Sequence, residues 1–229
     1  MEDLLKYTPE EFVKFLHKKN IRRCCLTYDE SSKTTKPSHK ALQPIADFLN
    51  NDTRDFNKHE GVFLQVTEKY NFLQSAFVHR TVRGQAAGGS RFWRYDSMED
   101  FLRDGLRLSQ GMTHKNALAG LWWGGGKGVI ARNNAHDFRD PELRKSIFQE
   151  YGTFISSLQG CYVTAEDVGT APADVDDIFA NSRFTTCISP EKGGSGNPSD
   201  PTARGVARAM EAALHFLDGG GIEGRTVAI

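Results

Sequence analysis

The chain lacks an excess of either charge: Lys plus Arg total 29 and Asp plus Glu total 29. Without surplus positive charge there is little to release counterions from a nucleic acid or to settle on an anionic membrane, so neither is expected as a partner. No run approaches the ~20 apolar residues of a membrane span. The acidic start MEDLLKYTPEEF is unlike a secretory signal or an Arg-rich transit peptide, and a cytoplasmic location is expected. Cysteines are few. Cys24, Cys25, Cys161 and Cys187 show no CxxC spacing and no disulfide-scaffold density, which predicts free, buried thiols and no metal site.

What is present is enough for a core: 229 residues, 38% hydrophobic, consistent with a compact globular domain plus an appendage. Residues 1–58 are polar and mixed in charge, with one amphipathic helix predicted at Pro9–Lys19 and a loop-like SSKTTKPS at 31–38. They carry no recognisable chemistry and are taken as an N-terminal extension of unknown role. From Val62 the texture changes. VFLQV (62–66) and SAFVHRTV (75–82) predict strands around a turn at Lys69–Asn71. Ser97 and Asp100 predict a helix start, running to about residue 117. After GGGKG a strand is predicted at Val129–Ala131, and Asp140-Pro141 opens a helix to about Leu158. CYVTA (161–165) predicts a short buried strand, and a helix opens near Pro172. A last helix starts at Asp200-Pro201, carries Val206, Met210, Leu214 and Leu217 on one stripe, and stops at the glycines 219–221. TVAI (226–229) has the texture of a further strand. Strands alternating with helices predict an α/β fold with a mostly parallel sheet flanked by helices.

Three stretches carry chemistry. GGGKG fails as a phosphate loop, because Leu121 stands at the first glycine position and Gly128 where Ser or Thr would hold magnesium. A glycine turn with a solvated lysine is an equally good reading of the motif alone. In the preceding helix Met98, Phe101, Gly105, Leu108 and Met112 lie on one face, and Lys115 continues the series. A cation near a helix C-terminus answers the macrodipole, which is the plain alternative to a functional role. In YVTAEDVGTAP (162–172) an apolar strand delivers Glu166 and Asp167 at its carboxyl end, where open α/β sheets place ligands and where helix caps also occur. If they converge, a cationic lysine could hold a carboxylate, a desolvated lysine could act as a base near neutral pH, and the carboxylate could relay protons.

In order and spacing AAGGSR (86–91), LSQGMTHKNALAGL (108–121), GGGKGVI (124–130), TAEDVGT (164–170) and SGNPSDPTARGV (195–206) resemble the glutamate/leucine/phenylalanine/valine dehydrogenases, most closely the leucine and phenylalanine branch. The resemblance covers about residues 59–229. It implies reversible oxidative deamination of an L-amino acid to a 2-oxo acid and ammonium, with hydride passed to NAD. By the family's motifs, Lys115 would bind the α-carboxylate, Lys127 would be the catalytic base, and Asp167 the proton relay. Gly88 and Gly89 would let substrate approach the backbone, Met112 would help line the pocket, and Thr202 would lie toward the nicotinamide. Ala87 stands where glutamate-specific members carry a lysine, so a hydrophobic substrate is expected. Trp122, Trp123 and His114 also depart from the usual residues. The resemblance places a substrate-binding and oligomerisation domain at 59–199 and a connecting helix with the first strand of an NAD-binding domain at 200–229. The glycine-rich Rossmann turn itself is absent from this sequence, which implies a truncated chain inactive by itself; the resemblance further implies a homo-oligomer. The alternative is a non-catalytic interaction or assembly module related to these enzymes.

Overall fold

The computed structural model describes residues 3–133 and 135–228. Its centre is an eight-stranded sheet of order β2-β1-β3-β4-β7-β5-β8, with β6 beside the far end of β7. The strands are β1 (Arg23–Asp29), β2 (Thr34–Pro37), β3 (Gly61–Val66), β4 (Leu73–Arg80), β5 (Ala86–Ala87), β6 (Ser90–Trp93), β7 (Gly124–Ala131) and β8 (Tyr162–Val163). The helices are α1 (Pro9–Lys18), α2 (Gln43–Asn51), α3 (Met98–Leu118), α4 (Pro141–Ser157), α5 (Pro172–Asn181) and α6 (Ser199–Asp218). The α/β expectation is met. The sheet is mixed: β2, β1, β3, β4 and β7 pair antiparallel, while β5 and β6 run parallel to β7 and β8 runs parallel to β5.

Side-chain alternation divides the core between the two sheet faces. Val62, Leu64 and Val66 of β3, with Leu73 and Phe77 of β4, meet Phe12 and Leu16 of α1, Ile45 and Leu49 of α2 and Phe101 of α3. Ala76 and Val78 of β4 and Ile130 of β7 turn the other way, onto Ile147, Phe148 and Ile155 of α4 and Ile178 of α5. Helix α1 starts as its sequence suggests: Thr8 and Glu11 form a reciprocal capping box with Pro9 in the first turn.

Several expectations need correction. Residues 4–58 are not an appendage: β1 pairs with β3, α1 and α2 supply core side chains, and Thr34–Pro37 of the supposed loop forms β2. Only Cys24 among the four free thiols is buried; the other three are half-buried. GGGKG is not a turn, because Gly124–Gly128 lies inside β7, which is buried along its whole length. Residues 226–228 take no strand, since a strand needs a neighbour for its hydrogen bonds and none of the described residues supplies one there; Ile229 lies outside the described residues. Helix α6 carries no buried side chain among those described, and Val206, Phe216 and Leu217 are exposed.

Candidate functional site

The glycines of β7 are explained by what presses against them. A Cβ on Gly125 would lie 2.0 Å from Thr113 Oγ1 and 2.3 Å from Thr113 N of α3. On Gly126 it would lie 2.6 Å from the Tyr162 ring, and on Gly128 2.2 Å from the Tyr151 hydroxyl. Absence of side chains lets α3 settle directly on the strand. Asn116 then locks the helix end, donating its Nδ2 to Gly124 O at 2.6 Å. That contact fixes the last turn of α3 and with it Lys115, one residue earlier and exposed.

Lys127 stands among these glycines and is only 5% exposed. Its Nζ lies 2.6 Å from Asp167 Oδ2. Asp167 is delivered by the loop after β8, where its own N–H donates to Thr170 Oγ1 at 2.9 Å and that hydroxyl donates back to Asp167 O at 2.7 Å. Gly169 closes the loop at φ +86°, where a Cβ would meet Phe92 O at 2.1 Å. Burial pulls the Lys127 pKa down from the ordinary lysine value, against the opposing charge and hydrogen bond of Asp167. Burial pushes Asp167 up, yet Lys127 and Arg91 outweigh it and hold its carboxyl below the usual range. Neighbouring Glu166 behaves oppositely. Its Oε2 is buried with no hydrogen-bond partner among the described residues, and burial, with the charges of Asp174 and Asp167, pushes its pKa up.

The seven residues to which the resemblance gives a site role line one cavity of about 800 Å³: Gly88, Gly89, Met112, Lys115, Lys127, Asp167 and Thr202. Gly88 and Gly89 link β5 to β6, which keep one register along β7. Protein backbone is the immediate reason for them, since a Cβ on Gly88 would be 1.9 Å from Gly126 O and one on Gly89 2.3 Å from Glu166 O. Thr202 enters from the first turn of α6, whose N-cap, Pro198, makes no side-chain cap bond.

The paired tryptophans divide. Trp123 lines the cavity with Leu121, whereas Trp122 is 78% exposed under the Arg83 guanidinium, 5.4 Å from the ring centroid. Arg91 and Asp104 were missed by sequence reasoning: Arg91 Nε donates to Asp167 Oδ2 at 3.3 Å and its Nη1 donates to both oxygens of Asp104 at 2.9 Å. Arg91 lies within AAGGSR, but a contact from β6 to the second turn of α3 leaves no periodic signal. Chemically, the cavity offers one solvent-facing cation, one buried amine sharing a carboxylate, and an apolar wall from Ala87, Met112, Leu121, Trp123 and Val168.

Known proteins share this arrangement of the chain. A family model described as Glu/Leu/Phe/Val dehydrogenase, dimerisation domain, matches residues 67–184. Leucine dehydrogenase of Geobacillus stearothermophilus is 48% identical over 153 residues, covering 66% of this chain and 40% of that protein. Valine dehydrogenase of Streptomyces virginiae is 42% identical over 178 residues, covering 76% and 48%. Among solved structures, L-tryptophan dehydrogenase from Nostoc punctiforme superposes with a TM-score of 0.53 at 31% identity, covering 71% of this chain and 43% of that one. The chain thus spans less than half the length of the curated relatives it matches.

Proposed function

Because the chain belongs to the Glu/Leu/Phe/Val dehydrogenase family, we propose that its cavity is the amino acid and 2-oxo acid site of an NAD-linked dehydrogenase acting on hydrophobic L-amino acids. The observation that carries this reading is the Lys127–Asp167 pair at 2.6 Å, buried in the cavity that Lys115 also lines. Lys115, solvent-facing at the end of α3, holds the substrate α-carboxylate. Lys127, whose proton is loosened by burial, serves as the base toward the α-carbon and its attacking water. Asp167, kept ionised by its two cationic neighbours, takes and returns that proton.

Substrate class follows from the wall. Ala87, where glutamate-specific members place a lysine, lines the cavity with Met112 and Trp123. A distal carboxylate would be desolvated there without a partner, a cost of about 2 kcal/mol or more. Thr202 and Ser199, in the first turn of α6 and facing the same cavity, fit the nicotinamide side of the site. NAD, when bound, accepts the hydride from the α-carbon; among the described residues no strand leads into a G-x-G-x-x-G turn for its pyrophosphate.

Self-association into a homo-oligomer is part of the same reading: β2 pairs only with β1, leaving one strand edge open among the described strands, and the matched family model is a dimerisation domain. The free thiols suit the reducing cytoplasm.

Calorimetric titration of this chain with 4-methyl-2-oxopentanoate and with 2-oxoglutarate tests the reading. The apolar oxo acid is expected to bind preferentially, and Lys115→Ala to weaken it about 30-fold, the loss of one charge-assisted contact of about 2 kcal/mol. Unaltered binding in both Lys115→Ala and Lys127→Ala, or a preference for 2-oxoglutarate, would sink the assignment.

A further inference from the structure

Behind Asp167 lies a line of charge to which the catalytic reading gives no role beyond keeping that carboxylate ionised. Lys127 Nζ and Arg91 Nε converge on the same oxygen, Asp167 Oδ2, at 2.6 and 3.3 Å. The Arg91 guanidinium also grips Asp104 through two bonds of 2.9 Å. Tyr95, nearly buried, donates its hydroxyl to Asp104 Oδ2 at 2.6 Å. Amine, carboxylate, guanidinium, carboxylate and phenol therefore follow one another, drawn from β7, the loop after β8, β6, α3 and the loop after β6.

A planar guanidinium holds carboxylates in fixed directions, which a single ammonium does not. With both Asp104 oxygens engaged and one of them further held by Tyr95, Arg91 has little freedom to turn away from Asp167. A buried lysine facing a carboxylate of its own would be trapped as an ammonium. Here the carboxylate is shared with a permanent cation.

We propose that Arg91, anchored by Asp104 and Tyr95, is a positioning residue that orients Asp167 and divides its charge, so that Lys127 is free to lose its proton. This rests on the role assigned above to Lys127. The charged or titratable groups around the amine are Asp167 and Glu166 from the loop after β8, Arg91 from β6, Asp104 and Lys115 from α3, and the tyrosines Tyr95 and Tyr162. After burial and the attraction of Asp167, the Arg91 charge is the next influence on Lys127 and acts to lower its pKa.

The measurement is a pH titration of isotope-labelled lysine ε-methylene signals in the chain, with the Lys127 signal assigned by its loss in Lys127→Arg. Arg91→Gln is expected to raise the Lys127 midpoint by about one pH unit, and Arg91→Lys, which keeps the charge without the fork, by less. A merely structural Arg91 would lower the thermal unfolding midpoint and leave the Lys127 midpoint at the wild-type value, and that result overturns the proposal. Should Arg91→Gln fail to fold, Arg91→Lys decides: a raised midpoint supports the proposal, an unchanged one overturns it. The titration needs neither substrate nor nicotinamide. A shifted midpoint in a chain that binds no 2-oxo acid would retain the positioning role and remove the dehydrogenase reading.

Discussion

The two flanks of β7 are built by opposite means. Toward β4, β3 and β1 the sheet is an antiparallel meander held by side chains that alternate between the two cores. Toward β5, β6 and β8 the chain runs parallel and closes by leaving side chains out, with Gly88, Gly89, Gly125, Gly126 and Gly128 each abutted by atoms that a Cβ would strike. The first construction buries apolar area, at about 25 cal/mol per Å². The second buries little per residue but brings a helix, a loop and a strand within reach of one lysine. Stability and site are thus assigned to different sides of one strand, and substitutions on the two sides should separate them.

Gly125→Ala should break the glycine side most severely. Its Cβ would meet backbone atoms, Thr113 N at 2.3 Å and Ser109 O at 2.5 Å, so relief requires moving α3 off the strand. We expect a loss of about 3 kcal/mol in urea denaturation. Binding of 4-methyl-2-oxopentanoate should disappear with it, because the displaced helix carries Lys115. Leu64→Ala makes the matching cut in the meander. Leu64 is fully buried on β3, and its truncation should also cost about 3 kcal/mol. Calorimetric affinity for the oxo acid should stay within about twofold of wild type, since distant, uncoupled sites act independently. Equal loss of binding in both variants would show that the two flanks are a single unit.

The same contrast explains what could be read from the letters. Ser97 and Asp100 announce α3, and Gly219, left-handed at φ +72°, ends α6 as its position suggests. These signals are local. Lys115, Lys127 and Asp167 stand out through motifs whose order survives without any geometry, and the fold brings the three to one cavity. The failures are non-local. Thr34–Pro37 contains lysine and proline and looks like loop, yet pairs because β1 offers it an edge. GGGKG has turn composition, and only the arrival of α3, Tyr151 and Tyr162 makes extended backbone the structure that fits. Arg91 could be quoted within a motif, but its partners Asp104 and Tyr95 are brought to it by folding alone.

Two buried tyrosines offer the finest test of the comparison, with the smallest effect. Tyr162 donates its hydroxyl to Gly88 O at 2.6 Å, on the cavity wall. Tyr151 donates to Ser75 O at 3.0 Å, on β4 in the meander. Each hydroxyl lies in space left by the missing side chain of Gly128. Phenylalanine at either position keeps the ring and leaves one buried carbonyl without this donor, so each variant should lose about 1 kcal/mol in urea denaturation. The two should part on binding by degree. Tyr162→Phe loosens Gly88, and affinity for the oxo acid should fall a few-fold; Tyr151→Phe reaches the cavity wall only through its hydroxyl's contact with Tyr162, and affinity should fall less. If the two affinities fall equally, Gly128 transmits strain along β7 to Lys127, and the strand does not divide the molecule as its composition suggests.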